Sequence, residues 1–213
     1  MLTVFVNPER CIGCMQCEFA CAVEHSASTE PAFAVSEVPL PIPRIGVDPG
    51  MLAGTSYPSR CRHCDPAPCI GVCPTGALYR DPEHDVVLVD EQACIACAMC
   101  AIVCPFDVIT YAPTYTSNSR TVAVKCDQCI ARLRQGRATA CSEACKVNAL
   151  VFGDINDLTH AARRDHATTI LAAAATQPAP TAAPDGQQSA PTVTSWRDLA
   201  EAAREVGQAG GVR

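Results

Sequence analysis

Sixteen cysteines stand in this 213-residue chain, and they fall without remainder into four groups of four. The first is Cys11, Cys14, Cys17 and Cys21; the second is Cys61, Cys64, Cys69 and Cys73. The third is Cys94, Cys97, Cys100 and Cys104; the fourth is Cys126, Cys129, Cys141 and Cys145. Groups one and three share the spacing C-x₂-C-x₂-C-x₃-C, group two widens the second gap to four residues, and group four widens it to eleven. Aromatic residues make up only 5% of the sequence, so a large aromatic core is not what holds the chain together. The fold has to form around whatever the thiolates bind.

The spacing has a physical reason. Three thiolates spaced two apart wrap three corners of one [4Fe–4S] cubane from a tight loop, and the fourth points away to a neighbouring cluster. Such motifs work in pairs. Pro74 and Pro105 follow the fourth cysteine of groups two and three, as in bacterial ferredoxins, whereas Ala22 and Lys146 stand there in groups one and four. Zinc is the competing reading, but zinc ribbons pair C-x₂₋₄-C units over longer gaps and do not need a third cysteine at a second x₂ step. A disulfide scaffold would require an oxidising compartment. Four [4Fe–4S] clusters are therefore expected, with all 16 cysteines as ligands.

The segments between the motifs suggest how they pair. Ala77 to Arg80 and Val86 to Val89 read as strands around the polar turn Asp81 to Asp85, a hairpin joining groups two and three into one inner unit. By elimination, groups one and four form an outer unit, with Leu2 to Val6, Thr121 to Lys125 and Ala149 to Phe152 as its strands. The insert 22–60 contains the Pro-rich run EVPLPIPRIGVDPG, which reads as an ordered or semi-extended loop, and Pro39 to Arg44 within it as either contact surface or plain connection. Asn156 or Asp157 caps a helix within 154–175, starting near Leu158. A Pro/Ala-rich linker follows over 176–194. In 195–213, Trp196, Leu199, Ala200, Ala203 and Val206 form one apolar helical stripe, and Ser195 with Asp198 forms a capping box. The fold class is α+β: two nested bacterial-ferredoxin-like units over 1–153, with short hairpins and short helices, and a helical C-terminal extension.

The remaining features narrow the function. The start MLTVFVNPER has neither the charged nor the apolar region of a secretory signal, and no run of about 18 apolar residues occurs; a cytoplasmic protein without a membrane span is expected. The net charge is −6 with no basic domain, which argues against nucleic acid. No dinucleotide fingerprint or nucleophile motif is present, so the chain transfers electrons and is not itself a catalyst. His63, between Cys61 and Cys64, reads either as a partly exposed loop residue or as a cluster-tuning donor. Arg132, Arg134 and Arg137, in the enlarged gap of group four, read either as a solvated helix face or as contacts to an acidic partner or cofactor. His25 has no evident role, and His84, His160 and His166 fall on surface segments.

The opening CIGCMQCEFACAVEHS and the long-gap motif ending in CSEAC go beyond a generic ferredoxin. Residues 1–153 resemble the four-cluster, ferredoxin-like electron-transfer subunits of large oxidoreductases. Relatives serve molybdenum or tungsten pterin enzymes, such as aldehyde oxidoreductases and formate dehydrogenases, and carbon monoxide dehydrogenase and hydrogenase systems. The resemblance implies a crossover ligand scheme: Cys11, Cys14 and Cys17 with Cys145; Cys126, Cys129 and Cys141 with Cys21; Cys61, Cys64 and Cys69 with Cys104; Cys94, Cys97 and Cys100 with Cys73. It also implies a catalytic pterin subunit as one partner and a flavin, hydrogenase or other acceptor as the other. The C-terminal helix is expected to hook onto another subunit or a second copy, with a filament as one outcome. A freely diffusing polyferredoxin is the alternative.

Overall fold

The computed structural model describes residues 1–50, 54–114 and 117–176; the linker and terminal helix expected beyond residue 176 lie outside the described residues. The chain divides into two compact units, 1–165 and 166–213. In chain order the elements are β1 (Leu2–Val6), α1 (Gln16–Glu24), α2 (Pro31–Ala34), β2 (Ile45–Pro49), β3 (Ser56–Arg60), α3 (Pro68–Gly71), β4 (Leu78–Asp81) and β5 (Val86–Val89). Then come α4 (Met99–Ile102), β6 (Thr110–Thr114), β7 (Ser117–Val124), α5 (Ile130–Leu133), α6 (Ala140–Ala144), β8 (Leu150–Asp154) and α7 (Ile155–Thr176).

The strands pair as four separate antiparallel ribbons, β1–β8, β2–β3, β4–β5 and β6–β7. In β4–β5, Leu78 faces Val89 and Asp81 faces Val86. Asp81 closes this turn by accepting the His84 N–H at 2.9 Å. In β1–β8, Leu2 faces Asp154 and Val6 faces Leu150, so the two ends of the cysteine-bearing region meet.

Three expectations need correction. Residues 121–124 belong to β7, which pairs with β6 (Thr110 opposite Val124) and not with the outer strands. A hairpin partner close in sequence wins, and it buries Val122 and Ala123 with Ile109 and Cys100. The insert 22–60 is not all loop: β2 and β3 form a ribbon with Ile45 opposite Arg60, and Ile45 and Val47 are buried. Gly46, Pro49 and Pro58 disguise it, because glycine and proline ordinarily mark breaks in a strand. Finally, α7 begins at Ile155, and its first turn is met by Asp154, whose Oδ1 accepts the Asn156 N–H at 2.9 Å.

Proline marks the ends of two short helices, whereas α5 and α6 are similarly short without one. The helices α3 and α4 have four residues each and stop before Cys73-Pro74 and Cys104-Pro105. Where Ala22 replaces that proline, α1 runs on for nine residues and buries Cys17 and Cys21, four apart on one face. The core has three parts. Ala77, Leu78, Val87, Cys94, Cys100, Ile109, Val122 and Ala123 fill the inner unit. Val4, Ile45, Val47, Leu150 and Cys17, Cys21 and Cys141 fill the outer one. Val86 and Leu88 pack on Leu133, so β5 is buried on both faces and joins the two. Among the described residues no helix is long and apolar enough to cross a membrane.

Candidate metal centres

Each motif opens with the same backbone turn. The third residue is left-handed in all four: Gly13 at φ 67°, His63 at 50°, Ala96 at 55° and Gln128 at 57°. Three of these are not glycine, so the turn is held against a local preference. A second left-handed residue follows in Met15, Ala98 and Cys129, at φ 57°, 64° and 51°. The pattern recurs after the fourth cysteine, where the N–H groups of Gly76, Asp107 and Asn148 bond back to the carbonyls of Cys73, Cys104 and Cys145 at 3.3–3.4 Å. Such reversals curl the chain so that amides face the concave side.

The loops bring the cysteines together in crossed sets. Cys11, Cys14, Cys17 and Cys145 line one cavity, with Ile12, Val147 and Leu150. Cys61, Cys64, Cys69 and Cys104 line a second, with His63, Val87 and Ile109. Cys73, Cys94, Cys97 and Cys100 line a third, with Leu78 and Tyr111. Cys21 is close enough to Cys126, Cys141 and Cys129 for their charges to act on it.

The sulfurs are met by N–H donors: Cys61 from His63 and Cys126 from Gln128, both at 3.4 Å, and Cys21 from Arg44 at 3.2 Å. Cys94 accepts from Ala123 and Cys145 from Leu150, each at 3.4 Å. The Tyr111 hydroxyl lies 3.2 Å from Cys100 Sγ. Without a metal, such sites hold thiols. Burial, then the charge of Cys141, pushes Cys17 up to about 12. Burial pushes Cys21, Cys126, Cys129 and Cys141 up as well. Four sulfurs converging on a cavity, several of them buried and met by N–H donors, fit a group that takes thiolates and supplies the countercharge. A [4Fe–4S] cluster is that group.

Comparison with known proteins agrees with the geometry. The chain matches a 4Fe-4S dicluster domain over residues 53–155 and a 4Fe-4S binding domain over residues 4–21. It is 38% identical over 177 residues to an iron-sulfur protein of Rhodospirillum rubrum, covering 78% of this chain and 90% of that protein. The chain belongs to the ferredoxin-like family of iron–sulfur electron-transfer subunits. Another relative is the thiosulfate reductase electron transfer subunit PhsB of Salmonella typhi, 37% identical over 71% of this chain and 74% of that one. A tetrathionate reductase subunit of Salmonella typhimurium is 32% identical over 72% of this chain, which spans 58% of its length.

In this iron–sulfur subunit the polar residues around the centres were the part hidden from the sequence. His63 is buried, not partly exposed: its Nδ1 accepts the Val87 N–H at 3.1 Å. Burial, reinforced by Lys125 and Arg60, pulls its pKa down to about 3, so the ring is neutral. Arg132 is buried rather than solvated. It donates to the Ala138 carbonyl at 2.7 Å and to Glu24 at 2.8 Å, and it also reaches Glu143. Arg134 lies beside Asp81, and Arg137 is exposed.

His25 gains a role. Its Nδ1 lies 2.7 Å from the Cys21 carbonyl and its Nε2 lies 3.0 Å from Asp127 Oδ1. Burial alone would raise the Asp127 pKa, but the His25 contact and Arg44, 2.9 Å away, hold the carboxylate ionised. His25, Asp127 and Cys129 come within 4.8 Å of one another, but Cys129 belongs to a crossed set and Arg44 neutralises Asp127, so they form a brace and not a separate metal site. Two residues with no role foreseen from the sequence, Arg60 and Lys125, are fully buried cations beside Cys61 and Cys126.

Proposed function

We propose that this chain relays single electrons through four [4Fe–4S] clusters between a molybdenum- or tungsten-pterin catalytic subunit and a second redox partner. The observation that carries the proposal is that three cavities are each lined by one crossed set of four cysteines, while Cys21 sits with the remaining three. The ligand sets are Cys11, Cys14, Cys17 and Cys145; Cys21, Cys126, Cys129 and Cys141; Cys61, Cys64, Cys69 and Cys104; and Cys73, Cys94, Cys97 and Cys100.

Neighbouring sets come close to one another. Cys141 of one set lies near enough for its charge to act on Cys17 of the next, and Cys61 near enough to act on Cys126. Cysteines of both inner sets, Cys69, Cys73, Cys94, Cys100 and Cys104, pack together on one apolar core. Two sets have an exposed cysteine each, Cys14 and Cys97. Exposed apolar side chains flank them in the chain: Ile12, Met15 and Phe19 for the first, and Ile95, Met99 and Ile102 for the second. These two sites suit docking of an electron donor and an electron acceptor. The protein's own part in the reaction is to bind, insulate and bias the clusters, which supply the one-electron chemistry.

The thiosulfate and tetrathionate reductase relatives favour a pterin reductase as the catalytic partner. The tungsten aldehyde or formate enzyme expected from the sequence, a flavin acceptor, self-association through the terminal helix and a cytoplasmic location rest on the resemblance and on the sequence alone. Anaerobic purification under native expression tests the whole reading. About sixteen irons and sixteen acid-labile sulfides per chain are expected, with a molybdenum- or tungsten-containing subunit in the same particle. A colourless zinc protein, or a chain that purifies alone with its clusters, would overturn it.

A further inference from the structure

Two of the buried cations, Arg60 and Lys125, lie where the inner unit meets the outer one. Arg60 is 2% exposed and Lys125 3%. Arg60 Nη1 donates to the Cys61 carbonyl at 3.1 Å and lies 3.9 Å from Cys126 Sγ. Its Nη2 donates to the Val4 carbonyl at 2.8 Å and to Thr3 Oγ1 at 3.2 Å. Lys125 Nζ donates to the Cys126 carbonyl at 3.0 Å and to the Val87 carbonyl. The Arg60 side chain thus touches a cysteine from each of two neighbouring ligand sets.

Two buried side-chain nitrogens lack a partner among the described residues, and both are here: Arg60 Nε and His63 Nε2. Both are donors. The guanidinium Nε always carries a hydrogen, and because His63 Nδ1 accepts from Val87, the neutral ring carries its proton on Nε2. Two orphaned donors in one buried place call for an acceptor that is not a protein atom. Cluster and thiolate sulfur is such an acceptor, and the cavity of Cys61, Cys64, Cys69 and Cys104 is lined by His63 itself.

We propose that Arg60 and His63 are redox-tuning donors that raise the potentials of the two clusters facing each other across this junction, those of Cys61, Cys64, Cys69, Cys104 and of Cys21, Cys126, Cys129, Cys141. Reduction adds one negative charge to an already anionic buried centre. A buried cation and N–H donors to sulfur favour the reduced form. Arg60 serves both sites through its charge, and His63 serves the one whose loop it belongs to. The junction thereby holds an electron between the inner and outer units. The inference rests on the cluster assignment proposed above.

The test is redox potentiometry of the holo complex, followed by electron paramagnetic resonance. Arg60→Gln removes the charge and Arg60→Lys retains it. His63→Asn leaves an Oδ1 to accept from Val87 but nothing in place of Nε2. In Arg60→Gln, two clusters are expected to become at least tenfold less reduced at a fixed ambient potential, a downward shift of about 59 mV for a one-electron couple, while the other two stay put. Arg60→Lys should recover most of that shift, and His63→Asn should lower one cluster only. In ¹⁵N-histidine-labelled protein, a hyperfine coupling to that cluster should disappear with the His63→Asn change. Unmoved potentials, as when a buried water takes both donors, or an equal shift of all four clusters would overturn the proposal. If Arg60→Gln does not retain iron, the other two variants decide by the same criteria. Iron and sulfide are counted in the wild type first: a shortfall there counts against the cluster assignment, whereas a full count with unmoved potentials counts against the tuning alone.

Discussion

Nη1 of Arg132 lies 2.8 Å from Oε2 of Glu24, tying the enlarged gap of the fourth motif to the last turn of α1. The same guanidinium reaches Glu143 on α6, so one buried cation joins the helices that carry Cys21 and Cys141. Arg132→Met would leave two carboxylates facing each other. Breaking a buried pair costs about 3–5 kcal/mol, and because Glu143 is half-exposed, water screens part of that. The expected loss is about 1–3 kcal/mol, read as a lower melting temperature with iron released early from the outer sites. A variant that melts with the wild type would show that the bridge is ornamental.

Gly13 is required twice. Its φ is 67°, and a Cβ there would lie 2.6 Å from Ser56 Oγ on β3. Gly13→Ala should cost about 1–2 kcal/mol from the backbone alone, and more from the contact. Adding Ser56→Gly should relieve only the contact. Full rescue in the double variant, measured by thermal denaturation, would contradict the backbone argument.

Asp81 sets a pH dependence away from the clusters. The His84 N–H, then its ring and Arg134, outweigh partial burial and hold the Asp81 pKa below its ordinary value. A carboxylate with a depressed folded-state pKa adds stability above its unfolded pKa, about 3.9, and that contribution is lost as pH falls through the lower folded value. Asp81→Asn should therefore melt earlier than the wild type at neutral pH. Its deficit should shrink as the pH drops below about 4. A deficit independent of pH would assign the effect to turn geometry rather than charge.

Iron removal should unfold the outer unit. Cysteines are three of the seven buried residues of its small apolar core, and without metal the Cys17 thiol is pushed up to about 12, so it is protonated at neutral pH. Metal uptake must then release protons, and reconstitution should improve from about pH 7 to pH 9. Circular dichroism of chelator-treated protein should show lost structure that returns only with iron and sulfide. An apoprotein with an unchanged spectrum would contradict this.

The legible part of the sequence was the part with short-range spacing: sixteen cysteines in four runs, and the hairpin of β4 and β5 between two of them. What could not be read depends on distant partners. His63 is buried because the Val87 amide, 24 positions on, reaches its ring. The ribbon of β2 and β3 was masked by its own glycine and prolines. A partial signal for the buried cations was present, since Arg10, Arg60 and Lys125 each stand immediately before the first cysteine of a motif. Arg10 is exposed, and only the packing of the inner on the outer unit distinguishes the other two.

The pairing of β1 with β8 also bears on biogenesis. On the proposed ligand sets, a nascent chain can complete the centre of Cys61, Cys64, Cys69 and Cys104, and that of its partner Cys73, as soon as residue 104 has left the ribosome. On the same assignment, Cys11, Cys14 and Cys17 would wait, unliganded, for Cys145 to be synthesised. The earliest thiols made are among the last to be satisfied, which makes the first motif the stretch most in need of a scaffold or chaperone during maturation.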